Sequence, residues 1–197
     1  VDDQIPEDTL PKFLAMIEDT GVQRVTIHAR KAWLHGLSPK ENRDVPPLDY
    51  PLVQNMKCMF PGLHLSINGG VNSLAEAKKH LSAGMDGVMI GRAAYQNPYD
   101  ILARVDCDVF DGYAASTAEV IAAQMIPYIE THLKNGGRLH QITRHMFGLF
   151  AGQTGARHWR RRLSELGGCH SSHIADYRVL LDEISVILHQ QQELEAI

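Results

Sequence analysis

Residues 63–92, LHLSINGGVNSLAEAKKHLSAGMDGVMIGR, decide the fold class of this chain. They predict an apolar strand at 63–67, a helix at 74–83 and a second strand at 87–90. A Ser-x-x-Glu capping box precedes the helix and a glycine follows it, which are the usual start and stop signals of a helix. Because two strands joined by a helix pair in parallel, the stretch predicts a β-α-β unit.

The same alternation extends toward the N-terminus. A helix is predicted at 5–20, a strand at 22–28 and, after a polar loop with three prolines, a helix at 51–59. Three such units are too few to close a (β/α)8 barrel, which needs about 250 residues. The residues therefore predict either a small open sheet or the end of a barrel.

The second half of the chain lacks strand alternation. A linker is expected at 108–116, after which the apolar spacing predicts helices at 117–135, 139–150, 155–166 and 172–193. Such a series of helices predicts a small helical-bundle domain at 117–197. The fold class is therefore α/β plus all-α.

The composition excludes several classes of protein. The chain has 197 residues, of which 44% are hydrophobic and 21% charged, as is usual for soluble globular proteins. Its apolar runs are shorter than the roughly 18 residues of a membrane span, so no membrane partner is expected. The sequence begins at Val1 without an initiator Met or a signal region, and we interpret it as the interior of a longer chain.

The cysteines and histidines predict no metal site. There are three cysteines without a CxxC pair, and the histidines lack metal-ligand spacing. We expect a reducing, cytoplasmic location, and we expect Cys58 to lie in the core of a helical segment. None of the cysteines is predicted to act as a nucleophile.

Charge is distributed unevenly along the chain. The net charge is −4, yet residues 134–164 contain seven Lys or Arg and no acid, which leaves −11 for the remainder. Arg157, Arg160 and Arg161 are predicted on the helix face opposite Trp159, whereas Arg162 is expected nearer the apolar stripe. Grouped guanidinium groups suit consecutive phosphates, and a solvated basic face without a partner is the alternative.

Two glycine turns follow consecutive predicted strands, at Asn68-Gly69-Gly70 and at Gly91-Arg92. At that end of parallel strands, glycine lets an anion approach the backbone and Arg92 could bind phosphate. His28 closes the preceding strand and could donate a hydrogen bond to a phosphate or a flavin carbonyl. The alternative is that these residues only form turns.

Four blocks resemble one known family. They are IHARKAWLHGLSPKENRDVPPLDYP at 27–51, SINGG at 66–70, MDGVMIGRAAYQNP at 85–98 and ITRHMFGLFAGQTGARHWRRRLSE at 142–165. Together they resemble the tRNA-dihydrouridine synthases, with the bacterial A subfamily as the best match. The blocks are long and occur in order, so the resemblance is more specific than one glycine-rich loop.

The resemblance implies a flavin-binding (β/α)8 TIM barrel followed by a helical tRNA-binding domain. In that scheme residues 1–107 supply barrel strands six to eight, 108–116 the linker and 117–197 the helical domain. The family reduces D-loop uridines of tRNA to dihydrouridine, with FMN as cofactor and NADPH as reductant. A monomeric full-length enzyme is expected.

The resemblance also implies roles for individual residues. The positions that match FMN-binding ones are His28, Asn68, Gly69, Gly70, Gly91 and Arg92. The positions that match tRNA-binding ones are Lys40, Arg43, Arg157 and Arg160.

Two family features are absent from the chain. The catalytic, proton-donating cysteine of an Asn-x-Gly-Cys-Pro motif does not occur here and is expected upstream of residue 1, as is a lysine that contacts FMN. The chain alone is therefore expected to be inactive. Two other readings stay open, namely another FMN-binding TIM-barrel oxidoreductase of the dihydroorotate type and a non-catalytic RNA-binding fragment.

Overall fold

A computed structural model describes residues 1–113, 115–169 and 173–195. One residue of the predicted linker, Ala114, and the first residue of the predicted last helix, Ser172, lie outside the described residues. The chain forms two compact units, Val1–Gly91 and Arg92–Ile197. We call them the sheet unit and the helical unit.

The sheet unit alternates helices and strands as the sequence predicts. Its elements are α1 (Pro6–Asp19), β1 (Arg24–His28), a 3₁₀ turn (Glu41–Arg43), α2 (Tyr50–Met59), β2 (His64–Asn68), α3 (Leu74–Ser82) and β3 (Gly87–Met89). The three strands form a parallel sheet in the order β1-β2-β3. The predicted β-α-β unit is therefore confirmed.

The two faces of this sheet differ. On one face Ile27, Leu65 and Ile67 are buried in a core that also contains residues of α1 and α2. Because side chains alternate along a strand, His28 and Asn68 belong to the opposite face, where they are exposed and half-buried. The sheet unit thus covers one face of its sheet and leaves polar side chains on the other.

The helical unit contains seven helices among its described residues. They are α4 (Arg92–Gln96), α5 (Pro98–Phe110), α6 (Ala118–Gln124), α7 (Ile126–Lys134), α8 (Leu139–Thr143), α9 (Ala156–Gly168) and α10 (Ile174–Glu195). Trp159, Phe150 and Tyr177 are completely buried in one core. The indole Nε1 of Trp159 donates to the carbonyl of Met146 at 2.8 Å, and the Tyr177 hydroxyl donates to the carbonyl of Ala122 at 2.8 Å.

Two predicted helices are shorter than the sequence indicated. The helix expected at 117–135 is divided at Met125 into α6 and α7, because Pro127 lacks an N–H and begins a new helix instead of continuing the old one. The helix expected at 139–150 ends at Thr143. Turns follow it and bring Gly148 so close to the Gln96 carbonyl that a Cβ would overlap it.

The boundary between the units also differs from the predicted one. Helix α5 continues to Phe110, so residues 108–110 of the predicted linker are helical. The units divide after Gly91 and not at residue 107, because α5 belongs to the helical unit and its Tyr99 packs against that core.

Two kinds of site are absent from the described ranges. No helix there combines the length and the hydropathy that a membrane span needs. Those ranges also contain no group of three or more His, Cys, Asp or Glu side chains able to hold a metal ion. Cys58 is exposed on α2 and not in the core as expected, because the helix turns Val53 and Met56 inward instead.

Candidate functional site

The carboxyl ends of the three strands lie in register. His28 is opposite Asn68, and Asn68 is opposite Met89. The Asn68 side chain donates from Nδ2 to the Met89 carbonyl at 2.8 Å, while the backbone carbonyl of Asn68 accepts the Ala29 N–H at 2.8 Å. The structure therefore brings the predicted residues His28 and Asn68 to one edge, and Gly91 comes two residues after Met89.

The Gly69-Gly70 turn follows β2 at this edge. Both glycines have a positive φ, +111° at Gly69 and +70° at Gly70, which side chains rarely tolerate. A Cβ on Gly69 would lie 3.2 Å from Cε1 of His28, so the imidazole is beside the turn. A Cβ on Gly70 would lie 2.5 Å from the Leu48 side chain. By contrast, a Cβ on Gly91 would meet no atom of the described residues within 4 Å.

Tyr50, which sequence reasoning missed, holds one side of this turn. Its hydroxyl donates to the Gly69 carbonyl at 2.7 Å, and burial raises the pKa of Tyr50, so the hydroxyl keeps its proton. Its ring lies edge-on to His80 with centroids 4.5 Å apart. Burial lowers the pKa of His80, which favours the neutral imidazole. The only signal in the sequence was the position of Tyr50 inside the first family block.

Asn72 holds the other side of the turn. Its Nδ2 donates to the Gly70 carbonyl at 2.7 Å, and its backbone N–H donates to Oε2 of Glu76 at 2.7 Å. Ser73 caps α3 as predicted, since its hydroxyl accepts the Glu76 N–H at 3.2 Å. The Glu76 side chain, however, bonds to the residue before the cap and so anchors the turn to the helix.

Two backbone donors of the turn have no acceptor within the part of the chain that the structure describes. Among the described residues, no hydrogen bond is donated by the N–H of Gly70 or of Val71, although Val71 is only 5% exposed. Unpaired N–H groups in such surroundings are rare and mark a place where an anion can bind. The turn therefore fits an anion such as a phosphate group, with these N–H groups available as donors.

The loop after β1 presents the predicted residues Lys40 and Arg43. Both side chains are exposed. Lys40 directly precedes the 3₁₀ turn and Arg43 is its last residue. Asn42 organises the loop, because its Nδ2 donates to the Trp33 carbonyl at 2.7 Å and its Oδ1 accepts the Trp33 N–H at 2.7 Å. The loop is therefore held in a defined conformation behind the two basic side chains.

Arg30 is a second residue that sequence reasoning missed. Its Nη1 donates to the carbonyls of Asp44 and Pro46, while its buried Nε has no partner among the described residues. It also lines a cavity of about 680 Å³ beside β1 and α1. Of the predicted residues only His28 lines this cavity, so the cavity and the glycine turn are separate features that have this residue in common.

In the helical unit, α9 has the two faces that the sequence predicted. Trp159, Leu163 and Leu166 are buried, whereas Arg157 and Arg160 are exposed. Within the described residues these two arginines form no ion pair. Arg92 is exposed too, as the first residue of α4.

The other two arginines of α9, Arg161 and Arg162, are paired with carboxylates, which the acid-free stretch 134–164 did not indicate. Residues 134–164 have no acid, but Glu165 and Glu183 neutralise part of the helix from outside that stretch. Arg162 donates to Glu183 at 3.0 Å and to Glu165 at 2.7 Å, and Arg161 lies 3.7 Å from Glu165. His158 also bonds to Glu183 at 2.6 Å, and these bonds lower the pKa of that carboxyl. Arg162, which was expected nearer the apolar stripe, is thus held by two carboxylates.

Comparison with known proteins gives consistent matches. The sequence profile of the dihydrouridine synthase (Dus) family matches residues 2–182. The tRNA-dihydrouridine(20/20a) synthase of Shewanella oneidensis is 53% identical over 167 residues, 84% of this chain and 49% of the relative. The Escherichia coli K12 protein of the same name is 55% identical over 168 residues, 84% of this chain and 48% of the relative. The chain spans about half the length of these relatives.

Proposed function

This chain belongs to the dihydrouridine synthase family, and from that premise we propose that it is the C-terminal part of a tRNA-dihydrouridine synthase. The relatives' names extend the proposal to uridines 20 and 20a of the tRNA D-loop. The sheet unit would supply strands six to eight of a (β/α)8 barrel. The remaining strands would enclose the polar face that the sheet unit leaves uncovered. The observation that carries the proposal is the glycine turn at the strand ends, two of whose N–H groups are unpaired among the described residues.

FMN is the proposed cofactor and NADPH the proposed reductant. When bound, FMN supplies the hydride that reduces the pyrimidine double bond. The proposed role of this chain is to bind the phosphate of FMN. The N–H groups of the turn would donate to its oxygens, His28 beside the turn would add a further donor, and Arg92, which follows Gly91, would add a charged one. The proton for the other pyrimidine carbon would come from a cysteine outside this chain.

Four basic residues are the proposed tRNA contacts. Lys40 and Arg43 extend from the loop after β1, the strand that carries His28, and Arg157 and Arg160 extend from α9. Arg161 and Arg162 are excluded from this set, because their carboxylate partners weaken the attraction that these arginines exert on a phosphate. Backbone contacts of this kind would supply the few kcal/mol needed to flip a uridine out of its stack.

The two other readings differ in what supports them. The dihydroorotate-type alternative loses its support, because the family match covers residues 2–182 and both relatives are named as tRNA enzymes. A non-catalytic RNA-binding fragment is compatible with the exposed arginines of α9. It does not account for the unpaired donors of the glycine turn, and retention of flavin separates the two readings.

The flavin part of the proposal is tested by retention of FMN in the longer enzyme. Arg92→Ala and His28→Ala should each lose FMN on dialysis, since a hydrogen bond to a charged group contributes roughly 1.5–3 kcal/mol. Arg104→Ala is a matched control, because this exposed arginine pairs with Asp108 on its own helix. Full flavin occupancy in both variants would contradict the proposed phosphate site.

The tRNA part is tested by the salt dependence of binding. The double variant Arg157→Ala/Arg160→Ala should bind tRNA more weakly, with a slope of log K against log salt that is less steep by about 0.7 to 0.9 for each phosphate that the variant no longer binds. The double variant Arg104→Ala/Arg178→Ala removes the same charge from paired positions and should keep the slope. Equal slopes for all three proteins would leave α9 as a solvated basic face.

A further inference from the structure

The two carbonyl groups of the Gly69-Gly70 turn are both held from outside the turn. Tyr50, the first residue of α2, donates to the Gly69 carbonyl, and Asn72, which precedes the N-cap of α3, donates to the Gly70 carbonyl, each at 2.7 Å. One peptide group of the turn is thus tied to α2 directly, and the other is tied to α3 through Asn72, whose N–H is bound by Glu76.

Fixing a carbonyl also fixes the N–H of the same peptide group. In a trans peptide the C=O of one residue and the N–H of the next point in opposite directions. No peptide bond of the described chain is cis. The hydroxyl of Tyr50 therefore determines where the Gly70 N–H points, and the amide of Asn72 determines where the Val71 N–H points. Both N–H groups face away from the side chains that hold the carbonyls.

Both anchors are themselves held. The ring of Tyr50 lies against the buried His80, and burial keeps the phenol protonated as a donor. The backbone of Asn72 is bound by Glu76, whose own N–H is capped by Ser73. The Tyr50 hydroxyl and the Asn72 amide are thus each supported by further contacts. Together they hold a turn with positive φ at two glycines in one conformation.

We propose that Tyr50 and Asn72 are positioning residues that orient the Gly70 and Val71 N–H groups toward the phosphate of the flavin. Neither side chain touches the phosphate in this arrangement; each acts through a carbonyl of the turn. The inference rests on the proposed flavin site. It adds that the preference for a phosphorylated flavin depends on two side chains on the far side of the turn.

The test compares two ligands that differ only in the phosphate. FMN and riboflavin are titrated into the longer enzyme, prepared free of flavin, and binding is followed by flavin fluorescence. The wild type should bind FMN more tightly than riboflavin. Tyr50→Phe and Asn72→Ala should each lower FMN affinity about tenfold, the equivalent of one hydrogen bond of about 1.4 kcal/mol. Riboflavin affinity should stay unchanged.

Tyr177→Phe is the matched control. It also removes a tyrosine hydroxyl that donates to a backbone carbonyl at 2.8 Å, but in the core of the helical unit. It should lower the melting temperature and leave both flavin affinities unchanged. A merely structural role of Tyr50 or Asn72 would lower both affinities together, so the ratio of the two separates positioning from folding.

The outcomes distinguish this inference from the proposed function. If the wild type prefers FMN and both variants keep that preference, the inference is wrong and the flavin site stands. If the wild type does not prefer FMN to riboflavin, both the proposed phosphate site and the inference are wrong. Should Tyr50→Phe fail to fold, Asn72→Ala alone decides, because its exposed side chain contributes no core packing.

Discussion

In the helical unit three large aromatic side chains are fully buried and the polar atoms of two of them, Trp159 and Tyr177, are bonded, whereas in the sheet unit one sheet face carries polar residues that stay exposed or half-buried. Parallel sheets are normally covered on both faces. The helical unit therefore buries its aromatic core by itself, whereas the sheet unit leaves one face of its sheet uncovered. The difference suggests which unit can fold by itself and which one presents a surface for chemistry.

The largest expected effect is on independent folding. A fragment of residues 92–197 should unfold cooperatively on heating, because its aromatic core is complete. A fragment of residues 1–91 should not, since three strands covered on one face bury too little apolar surface. Circular dichroism melting of both fragments makes the comparison, and a cooperative transition in 1–91 would show that the covered face suffices.

The next effect concerns the core of the helical unit. Trp159→Ala should lower the free energy of unfolding by about 3–5 kcal/mol, because it removes a fully buried indole that also bonds to the Met146 carbonyl. Arg160→Ala, on the exposed face of the same helix, should change it by less than about 0.5 kcal/mol. Denaturant titration measures both, and similar decreases would mean that α9 is not anchored by its apolar face.

A smaller effect is expected at the glycine turn of the sheet unit. Gly70→Ala should destabilise the chain by about 1–3 kcal/mol, since its φ is +70° and its Cβ would collide with Leu48. Gly84→Ala is the control, because it has a φ of +92° but open space for the Cβ within the described residues. The difference between the two melting curves gives the cost of the collision, and equal curves would mean that only backbone strain matters.

The smallest effect is the pH dependence of the α9–α10 ion pairs. Hydrogen bonds from His158 and Arg162 lower the pKa of Glu183 below its usual 4.5 in the folded state. Its contribution is therefore present above pH 4.5 and disappears as pH falls through the lower, folded value. Glu183→Gln should lose about 1 kcal/mol or less at pH 7 and approach the wild type in acid. A stability difference that is constant from pH 7 to pH 3 would contradict this.

Local signals in the sequence were enough for the sheet unit's elements. The Ser73 cap, the stop at Gly84 and the apolar strand at 63–67 each act within a few residues, and the structure has β2 and α3 where they predict them. The helical unit was predicted less accurately, because Pro127 and the turn at Gly148 interrupt helices that the apolar spacing alone would continue. The amphipathic character of α9 was nevertheless readable from its periodicity.

The sequence by itself determined which residues end the strands and which helix face is basic, because both follow from spacing along the chain. Only the tertiary structure decided which groups meet there. Tyr50 lies 19 residues from the carbonyl that it binds, and Glu183 lies 21 residues from Arg162. These two pairings arise from how helices pack on the sheet and on each other. No local pattern of residues encodes them, so the contacts of Tyr50 and Glu183 became visible only in the folded chain, whereas the bond from Asn72 to Gly70 is local.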